Sequence, residues 1–109
     1  MTASRDVFVV GAARTAIGTY GGALKEVPLA DIATLAVKTA VERSGVGAEN
    51  VGHLAMGTVV VTEPRDAYLS RVASVGAGIP KETPAFNVNR LCGSGLQAIV
   101  SVSQSILLG

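Results

Sequence analysis

Hydrophobic positions along the chain change their spacing several times, and each change marks an expected element. Residues 7–12 form a continuous apolar run closed by a turn, which predicts a strand buried on both faces. Residues 14–28 are rich in glycine and predict a long loop. Leu29, Ile32, Ala33, Ala36, Val37, Ala40 and Val41 recur at helical spacing, so a helix is expected over 29–44, with Gly45 placed to end it. Residues 51–61 predict a second strand, although alternation over 53–56 is imperfect; 67–78 predict a second helix and 85–88 a third strand. In the uncharged stretch 91–109, Leu96, Ile99, Val100, Ile106 and Leu107 share one helical face and Gln97, Ser101, Gln104 and Ser105 another. Strand, helix, strand, helix, strand, helix, without repeats or low-complexity linkers, predicts the α/β class with parallel pairing and right-handed crossovers.

Composition narrows the partners. A chain of 109 residues fits one small domain. A net charge of +1, with no cationic cluster and few aromatic residues, excludes a nucleic-acid surface, so the partner is a small molecule or another protein. Apolar residues make up 49% of the chain and charged ones 16%, the balance of a well-buried piece of a larger α/β protein. Residues 1–6 are polar and the apolar run after them is too short for a secretory core, which predicts a cytoplasmic location. The stretch 91–109 is long enough to span a bilayer, but its Ser/Gln stripe predicts a helix packed in protein and no membrane partner.

Open parallel sheets bind ligands beyond the carboxyl ends of their strands, and the third strand runs directly into Cys92, the single cysteine. A lone cysteine is commonly just a small buried hydrophobe. Here it falls where a strand stops and a helix begins, and the unpaired N–H groups of a first helical turn favour the thiolate that attacks carbonyl carbon. Gly93 and Gly95 would admit a bulky substrate or neighbouring backbone, Ser94 could bond nearby amides, and the cysteine's own N–H could face a developing oxyanion. Acyl transfer fits this pattern better than redox work. No disulfide can form within the chain, and no Cys/His spacing suits a metal.

Other polar residues are read structurally. Gly18, Gly21 and Gly22 follow the first strand but lack the spacing of a phosphate-binding loop, so tight turns are their expected task. Arg14 is expected to tie that loop to backbone carbonyls. Arg65 and Arg71 are expected at the surface or in a subunit contact, Tyr68 at a rim or in the core, and His53, the single histidine, away from the reactive edge and not a general base.

The run Asn89-Arg90-Leu91-Cys92-Gly93-Ser94-Gly95-Leu96-Gln97-Ala98-Ile99 resembles the acyl-enzyme cysteine segment of the thiolases, the acetyl-CoA C-acyltransferases, without a gap. Val7-Phe8-Val9-Val10-Gly11-Ala12-Ala13-Arg14-Thr15-Ala16-Ile17-Gly18-Thr19-Tyr20-Gly21-Gly22 is similar to the first strand and following loop of the same enzymes. Less specifically, Thr62-Glu63-Pro64-Arg65-Asp66-Ala67-Tyr68-Leu69-Ser70-Arg71 resembles bacterial β-ketothiolases of broad chain-length range. The resemblance implies a thiolase-like α/β fold, with residues 1–109 forming an incomplete N-terminal domain that carries the nucleophile. It implies that Cys92 accepts an acyl group from an acyl-CoA and passes it to CoA or to an acetyl-CoA enolate, as in fatty acid metabolism, with no cofactor beyond the coenzyme A thioester substrates. It further implies that a second cysteine acting as base, a histidine and an asparagine come from later segments, either the remainder of the polypeptide or a companion chain, in a dimeric or tetrameric homo-oligomer.

Two other readings stay open on the sequence. One is a related condensing enzyme that takes acyl groups from a carrier protein. The other is a catalytically silent fragment or interaction subunit that keeps the fold and donates only a surface.

Overall fold

The computed structural model describes residues 5–109, so part of the polar stretch 1–6 lies outside the described residues. Three helices and two short strands follow one another in the order α1 (Leu29–Ser44), β1 (Leu54–Gly57), α2 (Leu69–Gly76), β2 (Ala85–Val88) and α3 (Ser94–Leu108). Single 3-10 turns at Ala48–Asn50 and Pro64–Tyr68 lead into β1 and α2. The two strands pair in parallel with Leu54 opposite Ala85 and Gly57 opposite Val88, as expected of a β-α-β unit.

Helix α1 begins at Pro28, whose ring fixes φ, and carries Asp31 in its first turn and Arg43 in its last, both favourable to the helix dipole. Gly45 ends it at φ 70°, a left-handed conformation that costs glycine nothing. Helix α2 turns Leu69, Ser70, Ala73 and Ser74 inward. Its crossing with α1 is close: a Cβ at Gly76 would lie 2.9 Å from Thr34 Cγ2. Leu54, Leu69, Ile79 and the alanines 30, 73, 77 and 98 form the buried apolar core.

Several expected boundaries shift. The strand expected over 51–61 is confined to Leu54–Gly57, and the second helix is split into the 3-10 turn and α2. The strand expected over 7–12 does not form, because the segment has no ladder partner. Its backbone lies along α1 instead: a Cβ at Gly11 would meet Ala40 O at 2.7 Å, and Arg43 Nη1 donates to Ala12 O at 3.1 Å. A groove of about 570 Å³, bordered by Ala13, Ala36, Met56, Gly57, Gly95 and Ile99, runs along the unpaired edge of β1. Phe8 and Val9 remain 75% and 86% exposed, where burial on both faces was expected.

Helix α3 contains 15 residues, which at 1.5 Å each span about 22 Å against a hydrocarbon thickness of about 30 Å. The stretch 91–108 is long and apolar enough to cross a membrane only when the turn before the helix is included. Gln97 uses both ends of its amide, accepting from Arg90 Nη1 at 2.7 Å and donating to Ser101 Oγ at 3.2 Å.

Candidate active site

Cys92 lies on the turn that joins β2 to α3, and its side chain is exposed. Cys92 falls between strand and helix as expected: α3 begins at Ser94 with Gly93 as its N-cap, so Cys92 stands one residue before the cap. The N–H groups of that first turn point out of the helix end toward the segment that carries the thiol.

The turn is tightly bonded. Leu91 adopts φ 49°, the single left-handed non-glycine residue among those described. Asn89 Oδ1 accepts the Leu91 N–H at 2.9 Å, a local Asx turn, while Asn89 Nδ2 reaches Val59 O at 3.5 Å. Ser94 is 4% exposed; its Oγ accepts the Arg90 N–H at 2.8 Å and donates to Leu91 O at 2.6 Å. The N–H groups of Gly93 and Ser94 close onto Arg90 O and Leu91 O at 3.0 and 3.1 Å.

Beneath the turn, the end of β1 presses on the start of α3. A Cβ at Gly57 would lie 2.6 Å from Ser94 C and 2.7 Å from Gly95 N, so only glycine permits this approach. Gly95 has open space on its own Cβ side, as a residue facing a ligand or a further segment would.

On the other flank, Asn87 fixes β2 against the start of α2. Its Oδ1 accepts the Ser70 N–H at 2.9 Å and its Nδ2 donates to Ala67 O at 3.0 Å. Asp66 is buried, where the sequence suggested only a residue between surface arginines. Its Oδ2 accepts from Thr62 Oγ1, Thr62 N–H and Glu63 N–H at 2.5, 3.1 and 3.2 Å. The Thr62 hydroxyl is foremost in holding this carboxyl below its ordinary value; burial opposes it, and the two amides and Arg65 assist.

The remaining polar residues separate by role. Arg65 forms an exposed pair with Glu63 at 3.2 Å. Arg71, half-buried, donates to Thr83 O at 3.0 Å and to Lys81 O, tying α2 to the loop before β2. Arg14 bonds the carbonyl of the next residue, Thr15, at 3.0 Å. Tyr68 is 54% exposed. His53 packs edge-on to Phe86 at the opposite end of β1, about 13 Å of strand from the Cys92 end at 3.3 Å per residue. Among the described residues no group of His, Cys, Asp and Glu is arranged to hold a metal. Sequence reading missed Asn87, Asn89, the strain at Leu91 and the close approach at Gly57; only the paired asparagines two apart, flanking a strand end, offered a signal.

Fold and site define a parallel α/β unit that presents an exposed thiol at a strand-to-helix turn. The family model described as "Thiolase, N-terminal domain" matches residues 7–109, and the chain belongs to the thiolase family. It is 56% identical over 106 residues to the beta-ketothiolase BktB of Cupriavidus necator and 45% identical to human mitochondrial 3-ketoacyl-CoA thiolase, in each case across 97% of this chain and 27% of the relative. The crystal structure of the human enzyme in complex with CoA matches with a TM-score of 0.89 at 44% identity, over 93% of this chain and 26% of that one. That of the Bacillus anthracis acetyl-CoA acetyltransferase matches with a TM-score of 0.91 at 36% identity, over 98% of this chain and 27% of that one. The chain thus spans about a quarter of the length of the relatives it matches.

Proposed function

We propose that this chain is the nucleophile-bearing part of a thiolase-type acyltransferase that uses coenzyme A thioesters as substrates, with Cys92 as the acyl acceptor. The observation that carries the reading is the exposed thiol on a fixed turn ahead of α3, within a segment matched by the family. The Cys92 thiolate attacks the thioester carbonyl, the carbonyl electrons move to oxygen, and collapse of that tetrahedral species expels CoA as its thiolate, which takes up a proton. In condensation the acyl group then passes to the enolate of acetyl-CoA and the Cys92 thiolate returns. In degradation the thiolate instead attacks the β-keto carbonyl of a 3-ketoacyl-CoA, the Cα–Cβ bond breaks to release acetyl-CoA as its enolate, which takes up a proton, and the acyl group passes to free CoA. Covalent catalysis divides one difficult exchange into two easier ones.

Both steps need a base. His53 is at the wrong end of β1, and the chain has no second cysteine. The base and the remaining contacts to CoA come from companion segments, in the same polypeptide or a partner chain, assembled as a homo-oligomer. The unpaired edge of β1 and the exposed residues 7–10 support such an assembly.

Mass spectrometry of the assembled enzyme after mixing with acetyl-CoA should find an acetyl adduct on Cys92, lost in Cys92→Ala together with turnover. Full turnover by Cys92→Ala, with the label on another residue, would overturn the assignment.

A further inference from the structure

The turn that carries Cys92 is held in an unfavourable backbone conformation by two side chains that the acyl-transfer chemistry does not use. Left-handed φ at a leucine is disfavoured by contact between Cβ and the carbonyl oxygen. Leu91 is 68% exposed, so apolar burial does not hold it there. The hydrogen bonds do. Asn89 Oδ1 accepts the Leu91 N–H, and Ser94 Oγ bridges the Arg90 N–H and the Leu91 C=O. The Ser94 hydroxyl is buried, so water cannot replace it in this bridge. The Ser94 backbone is itself fixed by the close approach of Gly57, which makes Ser94 the joint between sheet end, turn and helix.

From this geometry we infer that Ser94 and Asn89 are positioning residues of the reaction, setting the direction in which Cys92 Sγ meets the thioester carbonyl. The inference rests on the reading of Cys92 as acyl acceptor. A thiol displaced by about 1 Å remains a thiol, but loses about 100-fold in attack on a substrate held in a fixed pose. A small alkylating reagent that approaches from any side does not register the displacement. Positioning therefore lowers one rate and spares the other, and amide hydrogen exchange over α3 on the same variants, unchanged where only the thiol is misdirected and faster where the fold is lost, separates it from a loss of folding.

The test uses the assembled enzyme with Ser94→Ala and Ser94→Thr, and with Asn89→Ala and Asn89→Asp, the exposed position that tolerates change should Ser94→Ala fail to fold. Acylation by acetyl-CoA is measured per titrated Cys92, and iodoacetamide alkylation is measured at alkaline pH, where an exposed thiol is ionised. The expected result is acylation about 10- to 100-fold slower in the alanine variants, alkylation within about twofold of the parent, and most of the acylation rate restored in Ser94→Thr and Asn89→Asp, which keep the bonding oxygens. Unchanged acylation per site in both alanine variants would overturn the positioning role and leave Cys92 as nucleophile. A parent enzyme that forms no adduct on Cys92 would overturn both.

Discussion

Gly57 offers the sharpest test of how the sheet sets the site, because its effect can be worked from distances. In Gly57→Ala the new methyl would lie 2.6 Å from Ser94 C, 2.7 Å from Gly95 N and 2.9 Å from Ser94 O. Carbon atoms at rest sit about 3.5–4.0 Å apart, so the start of α3 must retreat from β1 by about 1 Å. The obstructing atoms are backbone in the first helical turn and cannot swing aside as a side chain would. Overpacking of this kind costs about 1–3 kcal/mol, and the upper end is expected where nothing can rotate. The displacement also moves the bonded turn, because Ser94 holds both Arg90 and Leu91. Acylation per site should therefore fall by about 100-fold while the thiol itself is untouched. Amide hydrogen exchange over the first turns of α3 reads the stability term locally, even in an assembly that does not unfold in one step. Gly52→Ala, where the added methyl meets nothing, should stay within about 0.5 kcal/mol of the parent. If Gly57→Ala matched Gly52→Ala in exchange and acylation, the account of the site as braced by β1 would be wrong.

Other substitutions examine the remaining links. Leu91→Gly should protect the turn in hydrogen exchange by up to about 1 kcal/mol by removing the left-handed strain, whereas Leu91→Val should lose about that much; equal behaviour would show that Leu91 is unstrained. Gly95→Ala enters space that the described residues leave open and that a covering segment is expected to fill, so in the assembled enzyme it should lower local protection of α3 by about 1–3 kcal/mol; a gain of about 0.5–1 kcal/mol, as alanine brings to an open helix position, would show that nothing packs there. The Asp66 carboxyl is held below its unfolded value of about 3.9, so its bonds contribute fully above about pH 4 and are lost as pH falls through the lower folded value. The stability gap between parent and Asp66→Asn, followed by thermal unfolding, should be flat from about pH 7 to pH 5 and close below about pH 4; a gap unchanged in stronger acid would refute it.

Elements with a local cause were legible in the sequence, and elements with a distant one were not. The helical spacing of α1, its stop at Gly45 and the strand over Ala85–Val88 each follow from neighbours in sequence. So did the place of Cys92 between strand and helix, since a short apolar run meeting a Cys-Gly-Ser-Gly turn can hardly continue either element. Residues 7–12 are the counterexample. Their composition suits a strand, but a strand exists only where a second backbone accepts its hydrogen bonds, and within this chain that place is a groove. Gly57 was equally silent: in sequence it lies within an imperfect strand, and only the three-dimensional approach of Ser94 shows why no side chain fits. Asp66 was silent too: charge beside charge says nothing of depth, whereas here three short-range donors from Thr62 and Glu63 satisfy Oδ2, with Oδ1 buried and unpartnered among the described residues.

The apolar composition carries a different lesson. A chain so rich in hydrophobic residues was expected to be a piece buried in a larger protein, and here the deepest positions are mainly small, Ala30, Ser70, Ala73 and Ser74, while Phe8, Val9, Leu96 and Leu108 face outward. Small residues inside let α2 and α3 approach the short sheet, and α1 approach α2, closely; large ones outside are what a surface awaiting cover would carry. Leu96 and Ile99 lie on α3 within two turns of Cys92, and Ile99 lines the groove beside β1. Whatever covers that groove must therefore touch the same helix that supports the nucleophile's turn. Assembly and activation are then coupled by geometry: a segment packed against Ile99 and Gly95 restrains the start of α3, and through Ser94 it restrains the direction of the Cys92 sulfur.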